Sequence, residues 1–234
     1  MSTHVNEAQM NDAQYAIVDL ETTGLDPLND RIIEIAIIHA DHALTEEYRW
    51  SSLVNPQQEI TSTQIHHISQ ADVATAPTFN ELRNKIIELL HNRIIVCHNA
   101  AFDCAFLNAE FRRCAGSDTR GIQNRSSKDT STSVQVAQIP ATALVCTMNQ
   151  SRIYSNSERH SLFHLATFHN IDTPTAHRAM PDAQTCFALF RLFVNAEACG
   201  DRLRDQATDR HGNTVLPAQW HNATAWAKSN VEIS

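Results

Sequence analysis

The stretch from Arg31 to Ala40 constrains the fold of this 234-residue chain more than any other feature. It is a nearly continuous run of isoleucine and alanine. A run this short and this apolar is typical of a β-strand covered on both faces, whereas a strand with one face in water would alternate polar and apolar residues. The chain is therefore predicted to build a layered domain in which helices pack on a sheet.

Apolar patterns along the rest of the chain predict a mixed α/β domain. Short runs rich in β-branched residues predict strands, and apolar residues three or four positions apart predict helices. The predicted strands are 15–20, 31–40, 47–54, 93–97 and 141–147, and the predicted helices are 77–90, about 100–114, 161–169 and 179–197. These elements indicate one domain over residues 15–199.

Three segments lie outside this pattern. Residues 1–14 are a polar leader, and residues 115–139 include a stretch rich in Ser, Thr, Asp and Arg without apolar periodicity. We interpret 115–139 as a flexible surface insertion, because such a composition buries too little apolar area to offset the entropy of ordering. Residues 200–234 are a polar tail of unassigned role, in which Trp220 and Trp226 either anchor a partner or fold back on the domain.

The charge balance limits the classes of partner. The chain has 18 Lys and Arg against 26 Asp and Glu, a formal net charge of −8. This argues against a broadly basic protein that coats duplexes, because non-specific affinity comes from Lys and Arg that displace counterions. A local site whose positive charge is supplied by bound metal stays open. The five glycines form neither the G-x-G-x-x-G nor the P-loop pattern, which excludes the usual glycine-built nucleotide sites.

The same composition predicts a soluble cytoplasmic protein without a membrane segment. No apolar run reaches the roughly 20 residues that span a bilayer. The N-terminal residues lack the charged and then apolar pattern of a signal peptide. The six cysteines form no C-x-x-C pair, which favours reduced thiols over a disulfide framework or a zinc ribbon.

Two carboxylates end the first predicted strand, in the segment Tyr15-Ala-Ile-Val-Asp-Leu-Glu-Thr-Thr-Gly24. Because side chains alternate along a strand, Asp19 and Glu21 project from the same face. Neighbouring carboxylates at the end of an apolar strand repel each other and lose hydration. A divalent cation such as Mg²⁺ or Mn²⁺, which prefers oxygen ligands, would compensate for both effects. The alternative is an ordinary strand that runs out into an acidic turn.

A second motif lies where the fourth strand enters a helix, in Val96-Cys-His-Asn-Ala-Ala-Phe-Asp-Cys-Ala-Phe-Leu107. His98 and Asn99 end the strand, and Asp103 falls in the first helical turn. An aromatic ring beside a carboxylate, as Phe102 is, would suit the stacking of a base next to a metal-bound phosphate. The alternative is that Asp103 only complements the helix dipole and that Phe102 only packs in the core.

A third motif is His177-Arg-Ala-Met-Pro-Asp-Ala183. Pro181 fits the first turn of a helix, which places Asp182 near the helix start. His177 lies in the loop before it. Histidine can accept a proton near neutral pH, which suits it to activate a water molecule. The alternative is a surface histidine without a catalytic role.

Together the four acids and the histidine resemble the DEDDh branch of the DnaQ-like 3′–5′ exonucleases. This family includes the proofreading epsilon subunit of bacterial DNA polymerase III and stand-alone homologues. The resemblance runs from about Tyr15 to Asn195 and rests on three independent motifs, D-x-E-T-T-G-L, H-N-A-x-F-D and H-R-A-x-x-D-A. It implies an RNase H-like α/β fold, in which a five-stranded mixed sheet is flanked by helices and the carboxylates cluster at its edge.

The resemblance also implies the chemistry and the roles of the residues. The substrate would be DNA or RNA with a free single-stranded 3′ end, cleaved to nucleoside 5′-monophosphates in DNA proofreading, repair or RNA trimming. A DNA polymerase subunit is an implied partner. Two Mg²⁺ or Mn²⁺ ions would be held by four ligands, Asp19, Glu21, Asp103 and Asp182, with His177 as the general base. The implied substrate-binding residues are Thr22, Thr23 and Leu25 around the terminal nucleotide, and His66, Asn99 and Phe102 around the rest.

Other interpretations compete with this one. The chain could be a binding module built on the same scaffold, with little or no turnover. His160 and His164 have a spacing that suits zinc on a helix, although no H-E-x-x-H motif accompanies them. Cys97 and His98 could form a hydrolase pair, but adjacent strand residues point to opposite faces. Many family members have Gly at the position of His67, so a different backbone shape is expected there.

Overall fold

The computed structural model of the protein describes residues 14–61, 63–120, 136–173 and 177–227. Five strands form its central sheet: β1 (Tyr15–Thr22), β2 (Ile32–Ala40), β3 (Glu46–Leu53), β4 (Ile94–Cys97) and β5 (Leu144–Cys146). Their order across the sheet is β3-β2-β1-β4-β5. The strands β1, β2 and β3 pair antiparallel, whereas β4 lies parallel to both β1 and β5. The predicted five-stranded mixed sheet is therefore confirmed.

Helices cover both faces of this sheet. Within the described residues they are α1 (Thr63–His66), α2 (Gln70–Val73), α3 (Phe79–Leu90), α4 (Ala100–Arg120), α5 (Thr147–Tyr154), α6 (Leu162–Phe168), α7 (Ala179–Cys199) and α8 (Gln219–Asn222). One apolar cluster joins the sheet to α3 and α4, and another joins it to α5, α6 and α7. None of these helices combines the length and the apolar character needed to cross a membrane.

The first strand shows how alternation builds both layers. Ala16 and Val18 belong to the cluster with α3 and α4, whereas Ile17 belongs to the cluster with α7. Asp19 and Glu21 continue the odd-numbered series and therefore face the α7 side of the sheet. The position of both carboxylates thus follows from the burial pattern of the strand that carries them.

The predicted surface insertion, 115–139, is described only at its two ends. The helix α4 continues to Arg120, because a helical backbone satisfies its own hydrogen bonds without an apolar stripe. Ile139 is buried, and its backbone N–H and C=O are both bonded by the Asn108 side chain, at 2.8 and 3.0 Å. Residues 121–135 lie outside the described residues, as do residues 1–13 of the leader.

The predicted strand 141–147 is only partly correct. A 3-10 turn spans Ala141–Ala143, the strand is limited to Leu144–Cys146, and Thr147 already begins α5. The sequence did not predict α5. Its buried side is partly polar and includes Gln150 and Ser151, so no apolar stripe marks it.

The tail packs against the domain. It contains a small hairpin, β6 (Ala207–Thr208) with β7 (Thr214–Val215), followed by α8. Trp220 is buried, with its ring 5.6 Å from that of Phe190. Trp226 is also buried and stacks on Phe111, and its Nε1 donates a hydrogen bond to a backbone carbonyl. Both tryptophans therefore fold back on the domain.

Candidate active site

Three elements carry the four predicted acids toward one region of the sheet edge. Asp19 and Glu21 lie at the C-terminal end of β1. Asp103 lies in the first turn of α4 and Asp182 in the first turn of α7. A helix N-terminus carries partial positive charge, which favours a carboxylate in its first turn. The fold thus brings residues more than 160 positions apart in sequence to the same side of the sheet.

Three of these acids form a tight cluster. One carboxylate oxygen from each of Asp19, Glu21 and Asp182 lies within 4.8 Å of the other two. It is the one such group of metal-ligating side chains in the described part of the chain. Asp103 is not in this closest set, but it is buried and lines the same cavity.

Electrostatics disfavours this arrangement without a cation. Burial raises the pKa of Asp19 well above its usual range, and the neighbouring charges of Asp103 and Asp182 raise it further. Burial raises the pKa of Glu21 to about 8 and that of Asp103 to about 8, and it also raises the pKa of Asp182. Hard oxygen ligands with these properties fit Mg²⁺ or Mn²⁺, whose charge would offset both burial and repulsion.

His177 lies beside this cluster in a strained backbone conformation. Its φ is +64°, in the left-handed region that side chains with a Cβ rarely adopt. Its backbone N–H donates to Asp182 Oδ2 at 3.3 Å, and its side chain is exposed and lines the cavity. Strained residues of this kind persist where the surrounding structure holds them, as functional sites often do.

A buried glutamate that sequence reasoning missed holds this loop. Glu34 on β2 accepts hydrogen bonds from Arg178 Nε at 3.0 Å and Nη2 at 2.7 Å, and from the backbone N–H of Ala179 at 2.9 Å. These bonds raise the pKa of Arg178. Because Arg178 follows His177 and precedes α7, Glu34 fixes the point where the loop enters the helix that carries Asp182. The one feature of the sequence that could have indicated its role is that Glu34 is a lone acidic residue within the apolar strand Ile32–Ala40.

The acids open onto a cavity of about 350 Å³. Two of the predicted substrate-binding residues, Asn99 and Phe102, line it, together with His98. Sequence reasoning missed Phe163, an exposed aromatic residue on another wall. Its signal was an aromatic side chain in the first turn of a helix, next to the His160-Ser161-Leu162 segment.

The other four predicted substrate-binding residues lie outside the described lining of this cavity. Thr22 donates its hydroxyl to the Gly24 carbonyl, and the buried Thr23 hydroxyl bonds to Asp30. Leu25 is 83% exposed. His66 is buried, and its Nδ1 accepts from the backbone of the residue two positions later. Their roles in binding stay predictions.

Two positions in the motif loops have backbone requirements that glycine meets most easily. A Cβ at Gly24 would overlap the Asp30 carboxylate, so the turn after Glu21 requires glycine. His67 has φ +57°, in the region that glycine adopts most easily. A histidine therefore occupies a conformation typical of glycine at this position.

The competing sites gain no support from the geometry. His160 precedes α6, and its Nδ1 bonds to Ser151 Oγ at 2.8 Å, so it does not share a helix face with His164. Cys97 is buried, and burial raises the pKa of its thiol. His98 bonds instead to Thr147 Oγ1 and the His160 carbonyl, both at 3.0 Å.

Comparison with known proteins identifies the family. Residues 16–190 match the family model of the RNase T exonucleases. Because this match covers most of the chain, the protein belongs to this exonuclease family, and the predicted resemblance to DnaQ-like exonucleases is confirmed.

Curated relatives are far longer than this chain. It is 29% identical over 191 residues to a PolC-type DNA polymerase III of Thermotoga petrophila, a match that covers 80% of this chain and 12% of the relative. A PolC-type polymerase of Staphylococcus epidermidis is 27% identical over 194 residues, with the same coverage. The chain thus spans about an eighth of the length of these relatives.

Solved structures share the fold. Escherichia coli exonuclease I in complex with a dT13 oligonucleotide is 15% identical with a TM-score of 0.63, covering 81% of this chain and 43% of that one. Exonuclease X in complex with 5′ overhanging duplex DNA is 22% identical with a TM-score of 0.55, covering 78% and 93%. A 3′-exonuclease that recognises a histone mRNA stem-loop is 14% identical with a TM-score of 0.61, covering 88% and 91%.

Proposed function

We propose that this protein is a divalent-metal-dependent 3′–5′ exonuclease that cleaves single-stranded 3′ ends of DNA or RNA to nucleoside 5′-monophosphates. The observation that carries the proposal is the cluster of Asp19, Glu21 and Asp182 in one cavity, with oxygens within 4.8 Å of one another. Membership of an exonuclease family supports the reaction class. A scaffold with no turnover would keep the repulsion of this cluster without any benefit.

The four acids are proposed to hold two Mg²⁺ or Mn²⁺ ions. When bound, such ions neutralise the scissile phosphate and stabilise the attacking and leaving oxygens of an in-line displacement. Asp19 is proposed as the central ligand, because the charges of Asp103, Asp182 and Glu21 all act on its carboxylate. Asp103, which is not in the closest set but lines the same cavity, would complete the set of ligands.

His177 is proposed as the general base. It would accept a proton from the attacking water, whose oxygen then bonds to phosphorus. The bond from phosphorus to the 3′ oxygen of the preceding nucleotide breaks with its electron pair on that oxygen, which takes a proton from water and becomes the new 3′ hydroxyl. The phosphate stays on the 5′ position of the released nucleotide. The hydrogen bond from the His177 backbone to Asp182 and the anchoring of Arg178 by Glu34 support this assignment, because both hold the base beside the acids.

Aromatic walls are proposed to bind the bases. Phe102 and the exposed Phe163 line the cavity, and base stacking on such rings tolerates any sequence. The terminal nucleotide would contact Thr22, Thr23 and Leu25, while His66, Asn99 and Phe102 would line the rest of the substrate site. The 83% exposure of Leu25 supports a contact of this kind, because an exposed leucine beside the motif is free to cover a base.

A polymerase is proposed as a second partner, and the support is the similarity to PolC-type DNA polymerase III. Co-sedimentation of this chain with a replicative polymerase subunit of its own organism tests this point. A stable complex would support a proofreading role. Sedimentation of the two proteins as separate species at micromolar concentration would favour a stand-alone nuclease.

The central test uses 5′-labelled single-stranded DNA and RNA of the same sequence, incubated with Mg²⁺, Mn²⁺ or EDTA. The proposal predicts a ladder that shortens from the 3′ end only with metal and yields 5′-monophosphates. An Asp19→Asn protein should lose this activity, whereas Asp205→Asn is a matched control because its side chain is 96% exposed. Intact substrate in every lane with folded wild-type protein would overturn the proposal.

A further inference from the structure

A second cavity of about 380 Å³ adjoins the one that holds the acids. Asn99 lines both cavities. The second cavity lies between the start of α4, the end of β5 and the tip of the β6–β7 hairpin, and Asn108, Cys146 and Arg210 are among its lining residues. We call it the Arg210 cavity. The hairpin lies outside the residues matched by the family model, which end at 190.

Arg210 is held at the mouth of this cavity by a fixed hairpin tip. The Asp209 carboxylate accepts hydrogen bonds from the backbone of His211 and of Asn213, both at 2.8 Å. Arg210 Nη2 donates to Asn99 Oδ1 at 3.2 Å, and its Nε donates to His211 Nε2 at 3.0 Å. The guanidinium is therefore directed toward the residue that the two cavities share.

The charge of Arg210 is not neutralised within the described residues, since no carboxylate there forms an ion pair with it. It is also the only Lys or Arg among the described residues that line either cavity. Its neighbour Asp209 uses its oxygens on the hairpin backbone and on Asn213 Nδ2. In a chain of net charge −8, a polyanion that enters this region would meet one fixed cation here.

We propose that the Arg210 cavity binds the nucleotide on the 5′ side of the scissile phosphate, with Arg210 on its backbone phosphate. This inference rests on the proposed function. Of the residues proposed for the terminal nucleotide, Thr22 ends β1, and Thr23 and Leu25 lie in the loop that joins β1 to β2, whereas the Arg210 cavity lies beyond β4, at the β5 edge. A strand that crosses the acids from one side to the other would place its penultimate nucleotide in this cavity.

The size and the lining of the cavity suit this occupant. Its volume lies within the range of roughly 300–1,000 Å³ typical of small-ligand pockets. Alanine and methionine side chains supply an apolar wall for a base, while Arg210 and His211 supply donors for a phosphate. A guanidinium recognises phosphate oxygens through paired N–H groups.

The test compares a substrate that carries nucleotides on the 5′ side of the scissile phosphate with one that carries none. A thymidine decamer presents the backbone phosphate of the preceding nucleotide to Arg210, whereas the 5′-p-nitrophenyl ester of thymidine monophosphate has a nitrophenyl leaving group there and no second phosphate. For Arg210→Ala we expect the ratio of kcat/KM for the decamer to kcat/KM for the ester to fall about tenfold, through KM of the decamer. Arg210→Lys should restore part of that loss, because charge alone still attracts phosphate.

Arg49→Ala is the matched control. It removes the same charge from β3, at the opposite edge of the sheet, where Arg49 pairs with Glu46. The slope of log KM against log salt for the decamer should fall by about one in Arg210→Ala and stay as in wild type in Arg49→Ala.

The outcomes separate the two proposals. If wild-type protein cleaves neither substrate, the proposed function fails. If it cleaves both and Arg210→Ala leaves the ratio unchanged, the Arg210 cavity does not bind the strand. If both substrates are affected equally, Arg210 acts only by positioning Asn99, and the inference is overturned.

Discussion

Two sets of buried or half-buried carboxylates in this protein differ in how their charge is balanced. Glu34 and Glu110 are 6% and 1% exposed, and each accepts two hydrogen bonds from one arginine, Arg178 or Arg31. Each also accepts a backbone N–H at the start of a helix or strand. These two glutamates are ordinary structural anions, with their charge neutralised and their acceptors used.

The second set has no arginine partners. Asp19, Glu21, Asp103 and Asp182 form no ion pair with any residue in the described ranges, and burial raises the pKa of each of them. The two sets meet where Glu21 lies opposite Glu34 across β1 and β2. Arg178 lies at this edge of the sheet, and its hydrogen bonds go to Glu34. The difference indicates that the unpaired acids are retained for a ligand of opposite charge.

The largest expected effect comes from removing one charge of the unpaired set. Asp19→Asn keeps the shape of the side chain but removes a ligand, so we expect kcat to fall by at least about 10³-fold. In EDTA the same variant should melt at a higher temperature than wild type, because one buried repulsive charge is lost. Kinetic assays with Mn²⁺ and thermal melts in EDTA measure the two effects. Lower stability together with retained activity would contradict the assignment of Asp19 to the unpaired, metal-binding carboxylates.

The next effect concerns the proposed base beside the unpaired set. His177→Ala should lower kcat by about 10²-fold, since general base catalysis contributes on that scale. Affinity for Mn²⁺ should change far less than in Asp19→Asn, because His177 is not one of the clustered carboxylates. Parallel measurements of kcat and of Mn²⁺ binding decide this. An equal loss of metal affinity in both variants would make His177 a ligand instead of a base.

The paired set offers a matched pair of variants. Glu34→Gln and Glu110→Gln each weaken a bidentate bond to arginine and a bond to the backbone, so each should lower the free energy of unfolding by about 2 kcal/mol. Only Glu34→Gln should also lower kcat/KM, by about tenfold, because Glu34 holds the loop of His177 and Asp182. Urea melts and steady-state kinetics test this. If both variants affect activity equally, the effect is one of stability.

The smallest effect is on pH dependence. The folded-state pKa of Glu21 is raised to about 8 from the usual 4.5, so the folded protein without metal binds more protons than the unfolded chain between these values. Its contribution to stability is therefore fully present below about pH 4.5 and is lost as the pH rises toward 8. Thermal melts in EDTA should show this decline as a difference between wild type and Glu21→Gln. Saturating Mg²⁺ should reduce it, and a wild-type curve parallel to that of Glu21→Gln would contradict it.

Much of the fold could be predicted because its signals are local. The apolar strands β1, β2 and β4 and the helices α3, α6 and α7 follow from periodicity over a few residues. The helix α5 could not be predicted in this way, since Gln150 and Ser151 are buried in place of apolar side chains. The tail could not either, because Trp220 and Trp226 find their partners far away in sequence, at Phe190 and Phe111.

The site residues also divide into those that local sequence patterns predict and those that depend on contacts distant in sequence. Asp19 and Glu21 could be placed together from strand alternation alone, and the motifs added Asp103, Asp182 and His177 by resemblance. The pairing of Glu34 with Arg178 joins residues 144 positions apart, and no local pattern marks it. The Arg210 cavity likewise depends on how the tail packs against the start of α4.

Binding of a divalent ion to the wild-type protein tests the central claim most directly. Calorimetric titration with Mn²⁺ at pH 7, in two buffers of different ionisation enthalpy, reports both affinity and protons released. We predict binding to wild type with release of protons from the acids whose pKa is raised, and strongly weakened binding to Asp19→Asn. Equal affinity in the two proteins, or no binding to folded wild type, would contradict the account.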